Sequence, residues 1–111
     1  MITNTIRETL MDTVLTWEGV TISPHQFGGI EFRVDHREIG HLHGNYQADI
    51  PFSARLHEEL VASERASLHH ISPNSGWVSF YVRSADDVSA LIGLLQLNYD
   101  RLTAHYAHAA A

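Results

Sequence analysis

The chain has 111 residues, 44% of them apolar, and carries a formal net charge of −6. All seven of its cations are arginine, and it contains neither lysine nor cysteine. This excludes disulfides, thiolate nucleophiles, cysteine-ligated zinc, iron–sulfur clusters and Schiff-base lysines. The acidic balance and scattered arginines oppose binding to a nucleic-acid backbone, which needs a cationic patch.

The length suits one domain, residues 1–111. No run of 18 apolar residues and no leader-like N-terminal segment occurs, so the expectation is a soluble cytoplasmic protein without a membrane partner. Histidine is over-represented, with nine residues.

In chain order, residues 4–17 read as a helix. Thr5 and Glu8 have capping-box spacing, Ile6, Leu10, Val14 and Trp17 mark an apolar face, and Gly19 is the stop. Residues 20–27 read as an edge or interrupted strand, because Pro24 cannot donate to a ladder. Residues 30–35 alternate, with Ile30, Phe32 and Val34 inward. His36-Arg37 turns the chain, residues 38–44 return as a partner strand, and residues 48–52 form a short strand stopped by Pro51.

Ser53 caps a second helix near 54–63, with Leu56, Leu60 and Val61 inward. Residues 65–75 read as a connection. The aromatic, β-branched run from Gly76 to Val82 reads as a central strand. Ser84 caps a long last helix striped by Val88, Leu91, Leu95, Tyr99 and Leu102. The order is α-β-β-β-β-α-β-α: an α+β domain with an antiparallel sheet of about five strands, an N-terminal helix, a middle helix and a long C-terminal helix.

Chemistry-bearing residues concentrate in REIGHLHGNYQADIPF (37–52) and HHISPNSGW (69–77). His41 and His43 are two apart, so on a strand they share a face. A two- or four-residue loop before them would put them on the face of Ile30 and Phe32, and this is the favoured expectation because it buries Ile39. A three-residue turn would put them on the other face. Three readings stand for these imidazoles. They are structural, bonded to backbone or to Asp49; or they form a ligand or catalytic pocket with Asp49 and His69 or His70; or they hold a metal, with His69 or Asp49 as third ligand. Trp77 is a candidate pocket wall. Ser75, His69 and Asp49 could be assembled into a triad, but no nucleophile elbow is present. His25, His36, His57, His105 and His108 read as surface residues.

The motifs REIGHLHG, DIPF, the HH pair, PNSGW and the closing LLQLNY together resemble a bacterial and fungal family labelled "luciferase domain", from about Ile30 to Leu102. The resemblance implies a small stand-alone domain without an established biochemical role. Its motif positions here are Arg37, Glu38, His41, His43, Gly44, Asp49, Pro51, Phe52, His69, Pro73, Gly76 and Trp77. Asn98-Tyr99 stands where the family pattern closes on Ser-Tyr. A weaker likeness, over residues 70–102, is to the MmcQ/YjbR double-wing fold, some members of which have been suggested to bind DNA.

The leading functional expectation is a binding domain for a small polar ligand or a partner protein. Its site would comprise Arg37, His41, His43, Asp49, His69, His70 and Trp77. A histidine-dependent hydrolase, metal-assisted or not, would use the same residues, with His41 or His43 as general base oriented by Asp49. A scaffold that self-associates into a homo-oligomer through the Trp77–Tyr81 strand is the third reading. No flavin or nucleotide motif is present, and a metal is the one cofactor the residues suggest.

Overall fold

A computed structural model describes residues 5–44, 46–69 and 75–110, apart from the side chains of Phe27 and of residues 105–110. Its elements are α1 (Ile6–Val14), β1 (Val20–His25), a 3-10 turn (Gln26–Gly28), β2 (Gly29–Val34), β3 (Arg37–His43), β4 (Gln47–Pro51), α2 (Ala54–Ala62), β5 (Ser67–Leu68), β6 (Trp77–Tyr81) and α3 (Ala85–Ala110). The α+β class stands. The six strands form one antiparallel sheet in the order β1-β2-β3-β4-β6-β5. The strand beyond the expected five is the two-residue β5, too short to carry a periodic signal.

Local chemistry sets the boundaries. Thr5 Oγ1 accepts from the Glu8 N–H and Ser53 Oγ from the Leu56 N–H, so both short helices begin at hydroxyl caps. Helix α1 stops at Val14, shorter than its pattern suggested, and Trp17 leaves the helix to pack against Tyr99. Pro24 sits on the edge strand β1, where its missing donor costs no ladder bond, and β6 lies inside the sheet. None of the described helices is long and apolar enough to cross a membrane.

The core lies on one face of the sheet. Phe32, Ile39, Leu42, Ile50 and Val78 pack with Leu10 and Val14 of α1 and with Leu91, Leu94 and Leu95 of α3. Gly40 marks where α3 presses closest: a Cβ built there would lie 2.9 Å from Leu95 Cδ2.

The β2–β3 hairpin departs from the favoured register. Its turn has two residues, Asp35 and His36, both at positive φ (49° and 65°), the conformation that matches strand twist in tight hairpins. Val34 therefore pairs with Arg37, as a two-residue turn requires. The register then shifts: Arg33 pairs with Glu38, but Phe32 pairs with Gly40 and Glu31 with His41. Ile39 is the extra residue of a bulge. The bulge reverses the parity of everything after it. Ile39 and Leu42 are both buried in the core, whereas an unbroken ladder would send them to opposite faces. His41 and His43 thus lie on the face away from Ile30 and Phe32, contrary to the expectation from turn length alone.

Candidate functional site

The sheet face opposite α1 and α3 collects polar side chains from five neighbouring strands. Pairing puts Glu31 across from His41, His41 across from Asp49, and Asp49 across from Ser79. On the same face, by alternation, lie His25 of β1, His43 of β3 and Trp77 of β6, and the bulge at Ile39 brings Glu38, across from Arg33, to that face as well. His69 follows β5 directly and reaches the group from the far side.

The group converges on one carboxylate oxygen. Asp49 Oδ2 lies 2.9 Å from His43 Nε2, 3.4 Å from His41 Nε2 and 3.6 Å from His69 Nε2. His41 Nε2 and His43 Nε2 are themselves 3.1 Å apart. Asp49 is 1% exposed, and its other oxygen, Oδ1, accepts from Ser79 Oγ at 2.7 Å. His41 Nδ1 meets Glu38 Oε2 at 2.6 Å, and His25 Nδ1 meets Glu31 Oε1 at 3.0 Å. The His25 ring stacks on His41, with centroids 3.8 Å apart and planes 15° apart. Trp77 closes one side, with its ring centroid 5.4 Å from that of His41 and 5.9 Å from that of His69. The Trp77 carbonyl is in turn held by His57 Nδ1.

Charge is strongly perturbed here. Burial works to lower the His41 pKa, but hydrogen bonds and charges from Asp49 and Glu38 outweigh it and raise it to about 9. Burial likewise opposes the ionised form of Asp49. Hydrogen bonds from His41, Ser79 and His43 and the charge of His69 nevertheless hold it well below the usual carboxylate range. Without another cation, the network is therefore an ionised carboxylate serving several imidazoles, with His41 protonated.

Of the residues singled out from sequence, His41, His43, Asp49, His69 and Trp77 come together. His70 and the Pro73-Asn74 turn lie outside the described residues. Arg37 is exposed and stands apart: it pairs with Val34, whose side chain faces the core. Its charge acts instead on Arg101 of α3, whose pKa is lowered first by burial and then by Arg37.

Sequence reasoning missed His25, read as a surface residue, and with it Glu31. The available signal was the polar alternation Thr21-Ser23-His25, which puts His25 on the Glu31 face once β1 and β2 pair across the Gly28-Gly29 turn. Glu38 entered only as a position in a motif. Ser79 falls inside the Gly76–Val82 strand pattern, which gives its hydroxyl no particular role.

A family model for the Luciferase domain matches residues 36–98. The chain belongs to the Luciferase domain family. The matched segment of this Luciferase domain runs from the β2–β3 turn to Asn98 on α3, and so contains His41, His43, Asp49, His69 and Trp77 but not His25 or Glu31. No curated protein and no solved structure matches the chain.

Proposed function

We propose that this Luciferase domain binds one divalent transition-metal ion through His41 Nε2, His43 Nε2, His69 Nε2 and Asp49 Oδ2. The observation that carries the reading is the convergence of three imidazole nitrogens within 3.6 Å of one carboxylate oxygen. A tetrahedral ion with bonds of about 2.0–2.1 Å sets its donors roughly 3.3–3.4 Å apart, and the three separations to Asp49 Oδ2 together with that between His41 and His43, 2.9–3.6 Å, bracket that value. Two Nε2 atoms facing each other at 3.1 Å also need something positive between them, a proton or a metal.

The surrounding groups suit a metal. Glu38 at His41 Nδ1 is the carboxylate–histidine pairing that orients a ligand imidazole and leaves Nε2 for the ion, and Ser79 orients Asp49 in the same way. Imidazole-rich donor sets favour zinc, copper, iron or nickel over magnesium or calcium. Four protein donors fill a tetrahedral ion, so Lewis-acid chemistry toward a small polar ligand, with hydrolysis as its reaction class, needs a further coordination position or an exchangeable donor such as His43. His43, 34% exposed at its side chain, gives solvent a route to the donors.

A second reading rests on an equally specific observation: among the described residues, no buried side-chain nitrogen or oxygen lacks a hydrogen-bond partner. The cluster can thus also stand as a protonated structural network. Elemental analysis of protein purified without an affinity tag, followed by zinc titration of chelator-treated protein, separates the two. The metal reading expects one equivalent bound, and binding at least tenfold weaker in His43→Ala, a substitution outside the core. Binding well below one equivalent, or unchanged binding in His43→Ala, supports the network instead.

A further inference from the structure

We infer that His25, oriented by Glu31, is a further ligand of the proposed metal, so that the centre has four imidazoles and one carboxylate. This rests on the metal reading above and extends it to a strand outside the family match. Two independent features of the fold support it.

The first is position. One donor atom each from His25, His41 and His43 all lie within 4.8 Å of one another. Donors on opposite sides of an ion with bonds of about 2.1 Å are roughly 4.2 Å apart. The His25 ring is stacked on His41 with its plane 15° from that ring's, so sharing an ion with the other two takes a swing of the His25 side chain out of the stack together with an inward movement. β1 is an edge strand paired only with β2, so it can move without disturbing the central ladder.

The second is the pattern of outer carboxylates. His25 and His41 are held alike: each ring meets a glutamate through Nδ1, Glu31 at 3.0 Å and Glu38 at 2.6 Å. This arrangement fixes the tautomer and leaves Nε2 as the coordinating nitrogen. Arg33 also pairs with Glu31 and anchors the outer carboxylate. An exposed structural histidine needs no such support, yet the His25 side chain is only 21% exposed.

The consequence is a change in the kind of centre. Four protein donors close a tetrahedral ion, the pattern of structural zinc. Five protein donors require a five- or six-coordinate ion, and in an octahedron they leave one position for water or a polar ligand. That coordination suits iron(II), cobalt(II) or nickel(II) at least as well as zinc.

Cobalt(II) is the probe, because its visible bands are intense when it is four-coordinate and weak at higher coordination. Chelator-treated wild-type protein, His25→Ala, His25→Gln and His43→Ala would each be titrated with cobalt(II), with folding checked by circular dichroism. The expected result is one cobalt per wild-type chain with weak bands. In His25→Ala and His25→Gln, one cobalt still binds, with at least tenfold lower affinity and markedly stronger bands. Wild-type bands already of four-coordinate intensity, or spectra and affinity unchanged in both His25 variants, would overturn the inference while leaving the metal centre standing. Absence of cobalt uptake by the wild type, or affinity unchanged in His43→Ala, would sink the metal reading and this inference together.

Discussion

Asn98 of α3 donates from Nδ2 to the carbonyl of Ile39, 59 residues earlier, at 2.8 Å. Ile39 is the extra residue of the β3 bulge, where the ladder is interrupted and a carbonyl needs another partner. Asn98 is 0% exposed, and its Oδ1 accepts from Arg101 Nε, while Arg101 also donates to the Pro51 carbonyl. One buried amide thus stabilises the irregularity that turns His41 and His43 away from the core, and it links that irregularity to the end of β4.

Replacing Asn98 by leucine keeps comparable bulk but leaves the Ile39 carbonyl buried and unpaired. The expected loss is about 1–3 kcal/mol, read as a lower urea midpoint with an unchanged slope. A midpoint within error of the wild type would show that the bulge holds without this bond.

Two glycines should rank in a fixed order. An alanine Cβ at Gly76 would sit 2.1 Å from the Phe52 carbonyl oxygen, in a backbone pair also joined by the Phe52 N–H to the Gly76 carbonyl at 3.1 Å. Neither side can yield without losing that bond. At Gly40 the nearest atom is the tip of Leu95, which can rotate, although the Asp49 carbonyl is 3.3 Å away. Gly40→Ala should cost about 1–3 kcal/mol and Gly76→Ala more, a ranking that thermal melts of the two variants can check.

Much of this fold could be read from patterns with a strong local cause. Thr5 and Ser53 announced their helices, Pro24 announced an edge, and the WVSFY run announced an interior strand. The site was half legible for the same reason: alternation alone put His41 with His43. The facing of that pair was not legible, because turn length fixes parity only for an unbroken ladder. The bulge at Ile39 depends on burying Ile39 and Leu42 together and on an acceptor bond from a helix 59 residues away. His25 was hidden for a related reason. Its role depends on which strand lies beside which, and no short window around it contains that information.

Glu38 tests the outer carboxylate of the proposed centre. Glu38→Gln keeps the shape of the side chain but removes the charge at His41 Nδ1. Loss of such a partner typically lowers metal affinity about 10–100-fold. Competition with a coloured chelator should show that drop with the stoichiometry unchanged. An unaltered affinity would mean that His41 is oriented by the sheet alone.

The pH dependence of stability should reverse when metal is added. In chelator-treated protein, His41 has a pKa of about 9 against 6.5 for the free side chain. Its stabilising contribution is therefore complete below pH 6.5 and disappears as pH climbs through 9. Asp49 is held below its ordinary 3.8, so its contribution is present above that value and fades as pH falls further. The metal-free protein should accordingly melt highest between these limits and lose stability on the alkaline side. Glu38→Gln removes one of the groups that raises the His41 pKa, and so should flatten the alkaline loss. With metal present the competition changes sign, because an ion needs the unprotonated imidazole and gains affinity as protons leave. Melting temperatures measured from pH 5 to 9, with and without one equivalent of zinc, should diverge steadily toward high pH. Parallel curves would indicate that the His41–Asp49 network titrates without any ion bound to it.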